Sequence, residues 1–162
     1  MAVIYISVGS NIDRKKNLRA ALAALRARFD HVRTSPVYES VAVGFDGKNF
    51  YNLVVEAHTD LTPDQVVQTL RATEDAQLRD RTQPKFSPRT LDLDLLLYDD
   101  LVVQQPEFQL PRDEIVKYAF VLAPLADLVP QVLHPTLKQT FAELWQQFER
   151  GDQELWQVEL AL

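Results

Sequence analysis

The stretch from Phe86 to Asp99, Phe-Ser-Pro-Arg-Thr-Leu-Asp-Leu-Asp-Leu-Leu-Leu-Tyr-Asp, constrains the fold more than any other part of the chain. Side chains alternate across a strand, so Asp92 and Asp94 leave one face while Leu91, Leu93 and Leu95 enter the other. A sheet built on this strand has one apolar face to cover and one face that can hold charge. The two carboxylates lie about 7 Å apart along the backbone, close enough to share one or two hard cations. Taken alone, the pair fits a solvated strand face equally well. Like charges on neighbouring same-face positions repel, however, and a strand that keeps them usually supplies a counter-charge or a cation. Arg89 lies just ahead of the pair.

The remaining patterns surround this strand with an α+β fold. Val3 to Ser7 reads as a first strand ending at Gly9-Ser10-Asn11. Asp13 is positioned to cap a helix whose apolar stripe is Leu18, Leu22, Leu25 and Phe29, stopping near Asp30. His31 to Tyr38 and Phe50 to His58 form the next two strands, joined by the aperiodic loop Glu39 to Asn49. Thr62-Pro63-Asp64-Gln65 supplies a capping box and an N1 proline for a second helix, to about Arg79. Residues 80–90 make a charged loop, and Leu91 to Tyr98 is the fourth strand. The order strand, helix, strand, strand, helix, strand is that of ferredoxin-like antiparallel sheets, with both helices on one face. The other face is left for loops, ligand or solvent, and Asp92 and Asp94 point there. Beyond Asp99 the pattern predicts short helices over Phe120 to Leu128 and Phe141 to Phe148, and an edge strand at Leu155 to Leu160.

Composition narrows the chemistry. A length of 162 residues fits one domain, 1–162, and the absence of cysteine rules out disulfides and thiolate metal sites. No apolar run approaches a membrane span, and the N-terminus lacks the pattern of a secretory signal, so a cytoplasmic protein without a membrane role is expected. The net charge of −6 opposes attraction to nucleic acid, yet Arg71, Arg79, Arg81, Lys85 and Arg89 cluster before the acidic pair. Basic residues beside two aspartates suit a small polyanion with metal. With four glycines and no G-x-x-x-x-G-K-[ST] sequence, a P-loop is excluded, so phosphate recognition falls to side chains such as Arg79, Arg81 and Arg89. Mg²⁺ is the natural cation, held by one or two carboxylates with phosphate and water completing its shell. Spacing alone assigns Phe50 and Phe120 to the core and Asn52 to a turn. An amide with two aromatics can also hold a flat heterocycle.

Gly9-Ser10-Asn11, Phe50-Tyr51-Asn52, Glu74, and above all Pro88-Arg89-Thr90-Leu91-Asp92-Leu93-Asp94-Leu95 resemble the 6-hydroxymethyl-7,8-dihydropterin pyrophosphokinase family of folate biosynthesis, from about residue 3 to Pro135. The resemblance implies a ferredoxin-like fold and an ATP-dependent diphosphotransferase acting on small molecules, expected as a monomer. It implies that Asp92 and Asp94 bind two Mg²⁺ ions bridging the triphosphate. Arg79, Arg81, Phe86, Arg89 and Leu95 would then face ATP, with Arg79 and Arg89 also serving catalysis. Ser40, Val43, Phe50, Asn52 and Phe120 would hold the pterin.

Three positions depart from the family pattern: Arg112 stands in place of a histidine, Tyr118 in place of an arginine, and Leu78 in place of a glycine. Arg112 is expected on the ATP phosphates, with Lys117 a second available cation. The alternatives these departures leave open are a paralogue with another pterin acceptor and a pterin- or nucleotide-binding protein with little catalysis.

Overall fold

The computed structural model describes residues 1–42, 48–79 and 91–162, the side chains of Leu78 and Arg79 excepted. Val43, Arg81, Phe86, Arg89 and the side chain of Arg79, all expected at the site, therefore lie outside the described residues. Strand β1 (Ala2–Ser10) is followed by helix α1 (Arg14–Arg28), strands β2 (Asp30–Thr34), β3 (Val37–Ser40) and β4 (Phe50–Thr59), helix α2 (Pro63–Arg79) and strand β5 (Asp92–Tyr98). A small hairpin, β6 (Val103–Gln104) and β7 (Gln109–Leu110), leads into a 3-10 turn (Asp113–Val116), helices α3 (Ala119–Leu128) and α4 (Phe141–Gln147), and strand β8 (Leu155–Val158).

All strand pairs are antiparallel, in the order β5-β1-β4-β3-β8, with β2 also on β4. This is the ferredoxin-like arrangement with β8 added at one edge, as the strand and helix order predicts. The expected second strand divides into β2 and β3 at Ser35-Pro36 because proline has no N–H for the ladder. Ser35 keeps the join on β4, its N–H donating to the Val54 carbonyl at 2.9 Å while its Oγ accepts from Val54 N–H at 2.9 Å. The Thr62/Gln65 capping box forms as expected, at 2.9 and 3.3 Å. Asp13 does precede α1, but in the left-handed region (φ 44°, ψ 46°) and without a side-chain cap bond.

One face of the sheet is covered by α1 and α2. Ile4, Ile6, Val8, Leu53, Val55, Leu91, Leu93 and Leu95 pack there against Leu18, Leu22, Leu25, Val66 and Leu70. The opposite face is not left to ligand and solvent alone, which corrects the expectation. Tyr5, Val54, Leu96 and Leu97 form a second core with Ile115, Val121, Leu122, Leu125 and Phe141, so the 3-10 turn, α3 and α4 cover the middle of that face. A β-bulge in β5 makes this possible. Ile6 pairs with Leu95 and Tyr5 with Leu97, leaving Leu96 as the extra residue. Leu93 and Leu95 face the first helix layer; Leu96 and Leu97 face the second. Past this core, Glu56 accepts from Tyr5 Oη and Arg33 Nε, both at 2.8 Å, and closes the far end of the same face.

Candidate active site

The end of the second face that α3 leaves uncovered is a cleft of about 290 Å³. Its floor follows from the strand register. Gly9 pairs with Asp92 on one side and Asn52 on the other; Ser7 pairs with Asp94 and Val54 in the same way. Two small residues on the central strand thus separate the carboxylates on β5 from the amide on β4, and the space they leave is the cleft. Glycine at position 9 leaves room for the amide: a Cβ there would lie 2.9 Å from Asn52 Oδ1, and the side chain would have to shift. Asn52, nearly buried, is held by its Nδ2 donating to Ser40 Oγ at 2.8 Å.

Phe50, Val41, Tyr118 and Phe120 also line the cleft, as does Glu114. Tyr118 immediately precedes α3, and its ring stacks on that of Phe120 with centroids 5.1 Å apart and planes 20° from parallel. Ser40, Phe50, Asn52, Asp92, Asp94 and Phe120 are therefore brought together around one cavity, although they are spread over four elements. Leu95 is turned away toward the α2 side, where it borders a narrower pocket with Leu70, Arg71, Phe108 and Arg112. Asp94 borders both spaces.

Sequence reasoning missed Ser7, Gly9, Val41, Glu114 and Tyr118 as lining residues. Ser7 and Gly9 carried a legible sign, being small residues at alternate positions of one strand. Glu114 carried none, since only the 3-10 turn brings it to the cleft.

The aspartates are fixed from behind. Glu74, buried on α2, accepts the Leu93 N–H at 2.9 Å, gripping β5 between Asp92 and Asp94. Nearby, Asn17 of α1 donates to Ser10 Oγ and accepts from Gln77 of α2, tying the end of β1 to both helices. Arg112, expected on phosphates, is instead directed at carboxylates: its Nε and Nη2 donate to Glu114 Oε1 at 3.0 and 2.8 Å, and Nη2 lies 3.5 Å from Asp94 Oδ1. Burial works against its charge, but Asp94 and Glu114 outweigh that and hold the guanidinium more firmly protonated than usual. Lys117 is engaged by Asp113 at 2.7 Å on the surface.

The donor set suits a hard cation: carboxylate oxygens alone, half-buried and on one strand face. Among the described residues no group of three or more His, Cys, Asp or Glu could hold a metal. Two protein carboxylates leave the rest of a cation's shell to phosphate and water, the division Mg²⁺ favours.

The family model for 7,8-dihydro-6-hydroxymethylpterin-pyrophosphokinase (HPPK) matches residues 5–130. The chain belongs to this family. Curated HPPK relatives include the 2-amino-4-hydroxy-6-hydroxymethyldihydropteridine pyrophosphokinases of Aquifex aeolicus, 32% identical over 88% of this chain and 90% of that one, and of Bacillus subtilis, 36% identical over 80% of each. Among solved structures, Plasmodium falciparum HPPK-DHPS superposes with a TM-score of 0.76 at 14% identity, over 91% of this chain and 45% of that one. The chain thus spans less than half the length of that larger HPPK-containing protein, and the likeness bears on the fold alone. No described helix is long and apolar enough to cross a membrane.

Proposed function

We propose that residues 1–162 act as a single HPPK domain that transfers pyrophosphate from ATP to the hydroxymethyl oxygen of 6-hydroxymethyl-7,8-dihydropterin, releasing AMP, in folate biosynthesis. The observation that carries this reading is one cleft with Asp92 and Asp94 at one end and Asn52, Phe50 and Phe120 at the other. A metal-phosphate site and a heterocycle site separated by one strand bring the acceptor oxygen to the triphosphate.

In this reading Asn52 meets the polar edge of the pterin, and Phe50 and Phe120 enclose its ring. Ser40 keeps the amide oriented through the bond to Asn52 Nδ2. The new bond joins the hydroxymethyl oxygen to the β-phosphorus as its proton passes to solvent; the bond from that phosphorus to the bridging oxygen of AMP breaks, and AMP leaves with its electron pair. Two Mg²⁺ ions held by Asp92 and Asp94 would draw charge from the phosphate oxygens. Arg79, Arg81 and Arg89 would neutralise the remainder, and Phe86 and Leu95 would lie toward ATP, with Val43 contributing on the pterin side. The chain's part is positioning and electrostatics, as in other phosphoryl transfers. The acting species is a monomer.

Incubation with ATP, Mg²⁺ and the hydroxymethyl dihydropterin should release one AMP per pterin pyrophosphate formed. Folded protein that releases no AMP sinks the reading. Gly9→Ala probes the pterin end. Its methyl would push Asn52 from its place, and the pterin Kd measured by calorimetry should rise about tenfold while ATP affinity holds. An unchanged pterin Kd would remove Asn52 from the acceptor site.

A further inference from the structure

Arg112 is tied into the site more tightly than a simple phosphate ligand needs to be. Two of its N–H groups meet a single oxygen of Glu114, and one of them also faces Asp94 at 3.5 Å. Arg112 borders the narrow pocket, Glu114 the cleft, and Asp94 both. The pair is local, two residues apart at the start of the 3-10 turn, and the backbone N–H of Arg112 donates to the Leu96 carbonyl at 3.0 Å. All three side chains are roughly 30% exposed, so the guanidinium can shift without breaking into either core.

A guanidinium close to Asp94 neutralises the charge that would draw in a divalent cation. The geometry lets it give up Asp94 without giving up Glu114, because only Nη2 is shared between them. We propose that Arg112 is a built-in counter-ion of Asp94 that competes with the divalent cation, and that Glu114 is the positioning residue that retains the guanidinium when the cation takes Asp94. The proposal rests on the reading of Asp92 and Asp94 as cation ligands. It gives the two substituents of the site a reciprocal relation: before nucleotide binds, Arg112 lowers cation affinity, and triphosphate arriving with the cation offers the displaced guanidinium a new anion. Cation and nucleotide then favour each other's binding.

Mn²⁺ binding followed by electron paramagnetic resonance tests this, without nucleotide and with α,β-methylene-ATP. Arg112→Gln should bind Mn²⁺ about fivefold more tightly than the wild type without nucleotide, the size expected for removal of a partly exposed ion pair. It should also gain about fivefold less from the analogue than the wild type does, since direct ligation of Mn²⁺ by the phosphates remains. Glu114→Gln, which leaves the guanidinium to Asp94, should bind Mn²⁺ about threefold more weakly. That loss should vanish in the Arg112→Gln background, because Glu114 acts through Arg112. Wild-type Mn²⁺ affinity in Arg112→Gln overturns the proposal; a loss from Glu114→Gln that persists without Arg112 marks a direct field effect and overturns the role of Glu114. If Asp94→Asn binds Mn²⁺ as the wild type does, the cation reading beneath the proposal fails instead, and AMP release tests the transferase activity separately.

Discussion

Asp94→Asn is expected to lower AMP formation by about three orders of magnitude while the chain stays folded. Loss of one positioned electrostatic group costs about 10² to 10³ in rate, and in the proposed function Asp94 would serve two such purposes, as cation ligand and as neighbour of Arg112. Asparagine keeps the shape and removes the charge. The fold should register little, since the side chain is partly exposed and the leucines on either side of it pack on the opposite face, untouched by the change. Thermal melting should move by the small amount typical of surface substitutions, about 0.5 kcal/mol. Turnover within tenfold of the wild type would show that Asp94 does not organise the phosphates.

The second large effect concerns a residue buried behind the strand that carries the aspartates. Glu74→Ala removes the buried acceptor of the Leu93 N–H, at the start of β5 between the two aspartates. Leaving such a donor unsatisfied costs about 1–3 kcal/mol, to be read in a urea melt. Displacement of the carboxylates by as little as an ångström should cost about 10²-fold in kcat. Glu74→Gln keeps a carbonyl oxygen facing Leu93 and should recover much of both losses. An alanine variant that melts and turns over as the wild type would reduce Glu74 to a bystander.

The residues that make β5 and the helix layer behind it were readable because their period is strict. Alternation from Leu91 to Leu95 assigns faces without any tertiary information, and the Thr62/Gln65 box states where α2 begins. The second layer was harder. Helix α3 buries seven of its ten residues, so it offers no stripe from which a packing direction can be read. Leu95-Leu96-Leu97 has no period either, and only pairing with Tyr5 and Ile6 reveals which leucine is the extra one. At the site, Asn52 and Phe120 gained meaning from their partners rather than their spacing: Ser40 and Gly9 for the first, Tyr118 for the second. Arg112 was readable as a cation of the site, but not its pairing with Asp94 and Glu114, because that depends on a turn of four residues. The roles of Val43, Arg79, Arg81, Phe86 and Arg89 remain proposals carried by the family resemblance.

The bulge at Leu96 has a bearing on how this chain tolerates change. Before it, β5 presents acids to the cleft; after it, the same face presents leucines to α3, so one strand is written in two reading frames. Loss of Leu96 would restore simple alternation and leave Leu97 opposite Tyr5 on the same face, but the second core would lose one of the two leucines that β5 gives it. It would also remove the carbonyl on which Arg112 is hooked. The extra residue thus serves both the second core and the anchoring of the turn that carries Arg112. In this strand the number of residues after Asp94, and not only their identity, sets where Arg112 is held.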